Sequence, residues 1–350
     1  MGLFSRFKKS NKKSPVSTEE VEQETTDVTQ EVAEQTTEQV SEPVTEQVSA
    51  SRADTLKANT LKFDALRALK IGEVDFAIRA LRTSLEEIDD PECRLYLAQA
   101  LQRKPDLAGS MTELTTILEA YPDYPAALYE ATKVSNGLDQ HSETIAYAER
   151  ALATELETSQ QAELHRMKAQ AQLALSESEQ ALATIDQALQ LTNEVPLYWL
   201  IKVKVLIALE RWEEALAVAL ETAEKFPEEE RAYLYEGLIT YHEGDKERAE
   251  HAFRQVVETD PFNVEGYMHL THLVEELRGK EAAADEMEQA LDMIPQPTRA
   301  LLEYAASLYK ECDRTELYEG VQQMLVDLPE DAETKAGEVN FANLYAGGFY

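Results

Sequence analysis

Small and apolar residues recur along this chain at a fixed spacing. Ala181, Ala215, Ala249 and Ala283 stand 34 residues apart, as do Pro227, Pro261, Pro295 and Pro329. Each of the last three alanines has an aromatic residue sixteen positions before it (Trp199, Tyr233, Tyr267) and a proline twelve positions after it. No alternating β-branched run of the kind a sheet needs is present. A repeat of this length predicts stacked helical hairpins. Alanine or glycine at a helix crossing lets two backbones approach, and larger side chains fill the grooves above and below. Proline falls where a helix has finished, because it lacks the next hydrogen-bond donor and disfavours helix in the residue before it. No single hairpin buries both of its faces. Stability therefore sums along the stack, and the terminal units need polar outer surfaces.

These residues resemble the tetratricopeptide repeat, whose unit is two antiparallel helices with small residues where they cross. The clearest copies run from Pro196 to Pro227 (Trp199, Trp212, Ala215) and from Arg231 to Pro261 (Tyr233, Gly237, Gly244, Ala249, Phe253). A third runs from Tyr267 to Pro295 (Leu270, Ala283, Ala290, Leu291). A weaker copy from Leu301 to Pro329 keeps Ala305, Leu308 and Leu325 in register but has Leu317 at the small position. Ala169, Ala181 and Ala188 mark another upstream. Three more degenerate copies precede it: Ala65, Gly72 and Ala77; Ala98, Ser110 and Pro122; Leu128, Ala151 and Leu152. The spacing from Thr144 to Ala181 is slightly long. The resemblance implies an all-α, right-handed α-solenoid of about eight hairpins, with sixteen antiparallel helices over residues 53–329. Residues 330–350, with Phe341, Leu344, Tyr345, Phe349 and Tyr350, read as a capping helix or aromatic tail.

Composition narrows the functional classes. The 350 residues carry a formal charge of −34, which repels phosphate backbones and argues against nucleic-acid binding. Two distant cysteines, Cys93 and Cys312, form neither a disulfide framework nor a zinc motif and suit a reducing compartment. With no apolar run of bilayer length, the expectation is a cytoplasmic protein, peripheral at most to the inner membrane surface. The charge is uneven. Residues 1–14 hold Arg6, Lys8, Lys9, Lys12 and Lys13 with no acid, whereas Pro15 to Ala50 hold ten acids with no lysine or arginine. That second stretch, rich in Thr, Glu, Gln and Val, predicts a disordered, self-repelling linker over 15–52. On a helical wheel Leu3, Phe4 and Phe7 share a face with Met1, opposite most of the basic residues, so 1–14 reads as a short amphipathic segment suited to weak contact with an anionic membrane through Leu3, Phe4, Phe7, Lys8 and Lys9. The first ten residues are similar to the N-terminus of many bacterial signal-recognition-particle receptors, which implies membrane contact and a bacterial source.

Catalytic and cofactor motifs are not apparent. No nucleophile elbow, phosphate-binding glycine loop or HExxH is present, and the reading assigns no cofactor and no metal. His269 and His272, three apart on one helix with Glu275 and Glu276 a turn on, are the single suggestive pair, and helix-surface histidines explain them more simply.

Binding remains. In tetratricopeptide proteins the first helices of successive hairpins line a concave groove, and the resemblance carries those positions onto this chain. They hold nine basic residues (Lys62, Lys70, Arg103, Lys133, Arg166, Lys204, Arg231, Arg299, Lys310) against five acidic ones (Glu92, Glu163, Glu265, Glu275, Glu276). Residues 51–350 as a whole carry 28 basic and 57 acidic side chains. Repeats one to five supply most of the basic groove residues together with Tyr129. Repeats six to eight supply Leu234, Leu238, Tyr241, Met268, His272, Leu302 and Tyr309, so one end should prefer carboxylates and the other apolar side chains. The chaperone-tail-binding members of the family use an asparagine in the groove where this chain has none, which argues against that role. The expected function is a non-enzymatic scaffold holding an extended or helical segment of a protein partner, acidic where it meets the basic half. A peptide-sensing solenoid autoinhibited by its acidic N-terminal tract is the alternative, and a metal-dependent enzyme centred on His269 and His272 comes last.

Overall fold

The computed structural model describes residues 43–328. The expectations for 1–14, for 15–42 and for the tail beyond 328 lie outside the described residues. Sixteen helices and no strand are present among the described residues, arranged as eight consecutive hairpins. They are α1 (Pro43–Lys70) with α2 (Val74–Glu87), α3 (Pro91–Arg103) with α4 (Leu107–Ala120), α5 (Pro125–Gly137) with α6 (His141–Leu152), and α7 (Thr158–Ala174) with α8 (Ser178–Leu191). The series continues with α9 (Pro196–Ala208) and α10 (Trp212–Lys225), α11 (Glu230–His242) and α12 (Lys246–Thr259), α13 (Val264–Arg278) and α14 (Lys280–Met293), and α15 (Arg299–Glu311) and α16 (Thr315–Asp327).

The crossing positions hold the register together. Ala77, Ser110, Thr144, Ala181, Ala215, Ala249 and Ala283 are each 0% exposed, one per hairpin, at the start of the second helix. Only a small side chain leaves room there for the backbone of the first helix. At the eighth hairpin Leu317 takes this position and stays half-buried. The long spacing between Thr144 and Ala181 also has a plain outcome. It becomes an extra turn at the start of α7, which has 17 residues where α5 and α9 have 13.

Each hairpin turns in nearly the same way. Gly72, Asp139, Ser176, Glu210, Gly244 and Asp313 adopt positive φ just after a first helix. The next amide reaches back five residues: Glu73 N to Ala68 O at 2.9 Å, Glu177 N to Gln172 O at 2.8 Å, Arg211 N to Leu206 O at 2.9 Å and Asp245 N to Thr240 O at 2.9 Å. This Schellman closure satisfies carbonyls that the helix end leaves orphaned. Two second helices then begin at a capping aspartate: the Asp106 carboxylate accepts from Gly109 N at 2.9 Å and that of Asp245 from Arg248 N at 3.1 Å.

One boundary differs from expectation. The helix α1 begins at Pro43, so the last ten residues of the stretch read as linker are helical. Proline at the first helical position is pre-set for helix, and Glu46, Gln47 and Ala50 are helix formers that extend the turns packed on α2.

Candidate functional site: the face of the odd-numbered helices

Consecutive odd-numbered helices touch one another from α1 to α11, whereas no two even-numbered helices pack to that extent. The odd helices therefore lie on the inner, more tightly curved side, and their outward faces form one continuous strip. Bonds between repeats run along this strip. Lys62 Nζ on α1 donates to Asp90 at 2.8 Å and to Glu92 at 2.9 Å. Gln99 and Gln102 on α3 donate to the two oxygens of Glu130 on α5, at 3.0 and 3.1 Å. The Tyr198 hydroxyl on α9 donates to Glu163 on α7 at 3.3 Å, that of Tyr241 on α11 to Glu276 on α13 at 3.0 Å, and that of Tyr304 on α15 to Glu275 at 2.7 Å.

These contacts change the electrostatics expected of the strip. Although burial disfavours its charge, the Lys62 ammonium is held protonated by Asp90 and Glu92, and its pKa moves up. The Lys133 ammonium meets Glu130 at 2.9 Å, and Arg166 meets Glu163 at 2.5 Å and also bonds Gln170. Arg231 is paired with Glu229. Burial and then Glu163 push the Tyr198 phenol up to about 12, and burial and then Glu276 do the same for Tyr241. Of the six basic residues expected in the basic half, Lys62, Lys133 and Arg166 are thus neutralised from within. Lys70, Arg103 and Lys204 are exposed without a carboxylate partner among the described residues, Arg103 donating to the Leu69 carbonyl at 2.7 Å. Tyr129 is half-buried, with the Lys133 ammonium 5.6 Å above its ring.

The apolar end needs correction. Leu302 and Tyr309 are 0% and 1% exposed, and Leu234, Leu238 and Met268 between 5% and 7%. All five belong to the core that runs from α11 to α16, because the same positions that would face a partner in an open groove here pack against neighbouring helices. What this end presents instead is polar: Tyr241 and Tyr304 with their glutamates, Glu265, and a half-buried His272 whose pKa burial lowers. The histidine pair separates as well. His269 is 1% exposed and stacks on Phe253 with ring centroids 5.1 Å apart, while His272 lies nearer the surface. Among the described residues no group of three or more metal-ligating side chains converges, and no helix is long and apolar enough to cross a membrane.

Sequence reasoning missed Glu130, Tyr198 and Tyr304. Glu130 carried the one available signal, since Met167 and Ile201 are buried at the corresponding place in α7 and α9 and a glutamate there needs donors.

The fold and the inner strip define a class, an α-solenoid of tetratricopeptide-type hairpins. Comparisons agree: residues 202–264 match the family model for the tetratricopeptide repeat. A tetratricopeptide repeat protein from Parabacteroides merdae superposes with a TM-score of 0.56 at 14% identity, over 72% of this chain and 98% of that one. The C-terminal part of a TPR repeat-containing protein from Cytophaga hutchinsonii gives 0.54 at 13% identity, over 68% and 97%. Pseudomonas aeruginosa pilF gives 0.51 at 15% identity, over 63% and 99%. At these identities the likeness is one of fold. No curated protein sequence matches the chain.

Proposed function

We propose that this protein is a non-enzymatic scaffold that holds an extended or helical segment of a partner protein along the inner strip, centred on α5, α7 and α9. Tetratricopeptide repeats are generally interaction modules, and solenoid curvature serves to present a long concave surface. The observation that carries the reading is the row of accessible, chemically mixed side chains across three consecutive inner helices: Tyr129 and Lys133 on α5, Gln170 on α7 and Lys204 on α9. Glu130 and Glu163 hold Lys133 and Arg166 in place, so the strip is ordered before a partner arrives and little side-chain entropy is lost on binding. Lys204, exposed and unpaired among the described residues, supplies the point charge for a partner carboxylate. The amphipathic start of the chain, Leu3, Phe4 and Phe7 with Lys8 and Lys9, would keep the scaffold near an anionic membrane.

Affinity capture from native lysate with quantitative mass spectrometry tests the strip. The double variant Lys133→Glu/Lys204→Glu should lose the partners that the wild type retains, at unchanged helical circular dichroism. Retention of the same partners in the same amounts would remove the inner strip as the binding surface.

A further inference from the structure

Three carboxamides on the inner strip have their orientation imposed by their neighbours. Glu130 on α5 is 7% exposed, and a carboxylate can only accept. Gln99 and Gln102 on α3 therefore turn their Nε2 groups to it, at 3.0 and 3.1 Å, and Gln102 Nε2 also lies 3.4 Å from Ser110 Oγ. Their carbonyl oxygens are left over. Both meet no donor among the described residues and are not sealed from solvent. On α7 the arrangement is inverted. Arg166, held by Glu163 at 2.5 Å, can only donate, and it takes Oε1 of Gln170. What Gln170 has left is its Nε2 group, again open to solvent and without an acceptor among the described residues. Thus α3 offers neutral acceptors and α7 a neutral donor, with α5 between them. Packed helices lie about 8 to 10 Å apart, so the two sets are separated by roughly 16 to 20 Å, which an extended chain covers in about five or six residues. A ligand that fits must carry unfilled donors at one end of that span and an unfilled acceptor at the other. Extended main chain carries both at almost every residue, because its N–H and C=O groups find no partner inside the segment. A helix does not, since its interior groups bond each other.

We propose that Gln99, Gln102 and Gln170 bind the main chain of the partner segment, and that this segment is extended and not helical. Gln99 and Gln102 accept from its N–H groups, and Gln170 donates to a C=O about five or six residues along. Glu130 and Arg166 fix the three amides before the partner arrives, so their ordering costs little on binding. Main-chain contacts of this kind position a segment without reading its side chains, and exposed Lys204 on α9 adds the charge selection. The inference rests on the assignment of the inner strip to a partner segment and narrows that segment to one conformation.

Random peptides of about twelve residues, long enough to cross from α3 to α9 when extended, are selected on the full-length protein. The best binder is synthesised with each backbone N–H replaced in turn by an ester oxygen, which removes the donor at little change of shape. Titration should find one or two positions where the ester weakens binding about tenfold, the scale of one lost hydrogen bond. That loss should shrink to about twofold or less in Gln99→Lys/Gln102→Lys, whose lysines still donate to Glu130 but offer no acceptor. Gln170→Glu keeps the acceptor for Arg166 and exchanges the free donor for an oxygen. It should weaken the unmodified peptide about tenfold at unchanged circular dichroism. Ester losses that are the same in the wild type and the lysine variant, as for a peptide bound as a helix, would overturn the proposal. So would full-strength binding by Gln170→Glu, or the enrichment of no peptide at all. Lysate capture by Lys133→Glu/Lys204→Glu is scored separately: a partner that needs those lysines but binds as a helix would sink this inference and leave the strip assignment standing.

Discussion

Four non-glycine residues, Asp139, Ser176, Glu210 and Asp313, sit in the left-handed region at the hairpin turns, a conformation that costs an L-residue roughly 1 kcal/mol. Glu210 is exposed at φ 57, so Glu210→Gly should raise stability by about 0.5 to 1 kcal/mol, read as a higher urea midpoint at unchanged slope. The reverse holds at Gly279. It alone joins α13 to α14, at φ 87 and ψ 174, a region open essentially to glycine. Gly279→Ala should cost roughly 1 to 3 kcal/mol by the same measurement. Protonation acts at this scale too. Burial lowers the pKa of His165, with Lys168 adding to the effect. A base whose folded pKa lies below its unfolded value stabilises the protein above that unfolded value, near 6.5, and the contribution is lost as the pH falls below it. Between pH 7 and pH 5 the wild type should therefore lose more stability than His165→Gln. Equal losses would mean that His165 is free to protonate in the folded state.

Hairpin geometry was readable because the crossing residues admit so few side chains. A small residue every 34 positions from Ala181 to Ala283 fixed the register, and the seven crossing positions from Ala77 to Ala283, spaced by 33 to 37 residues, proved sealed. One close approach measures the tightness. A Cβ added at Gly237 would lie 2.4 Å from the Phe253 ring, and Ala249 is fully buried at the same crossing. Ala249→Leu should cost roughly 1 to 3 kcal/mol, and unchanged thermal stability would contradict the register. What the sequence hid was the direction of longer side chains. Position alone could not distinguish Lys204, which reaches solvent, from Lys62, which lies against Asp90 and Glu92, because both partners come from the next repeat. Leu302 and Tyr309 misled for a related reason, since an apolar residue at a groove position is equally at home in the core that α15 shares with its neighbours.

At the scale of the whole molecule, a net charge of −34 sets the background against which Lys133 and Arg166 are paired within the inner strip while Lys70, Arg103 and Lys204 stay exposed without a carboxylate partner among the described residues. The basic start of the chain is the other exception. Removing residues 2–13 should shift the protein off anionic vesicles without changing its helicity, and the binding of the full chain should weaken as salt rises. Equal vesicle binding with and without those residues would dismiss the membrane contact. Site-specific photo-cross-linking tests whether the partner lies along the inner strip. A photoreactive amino acid in place of Lys204, exposed on the inner helix α9, is compared with one in place of Glu221, exposed on the second helix of the same hairpin, α10. A discrete cross-linked partner is expected from position 204 and none from 221. Capture of the same partner from 221 alone would place binding on the outer face and contradict it.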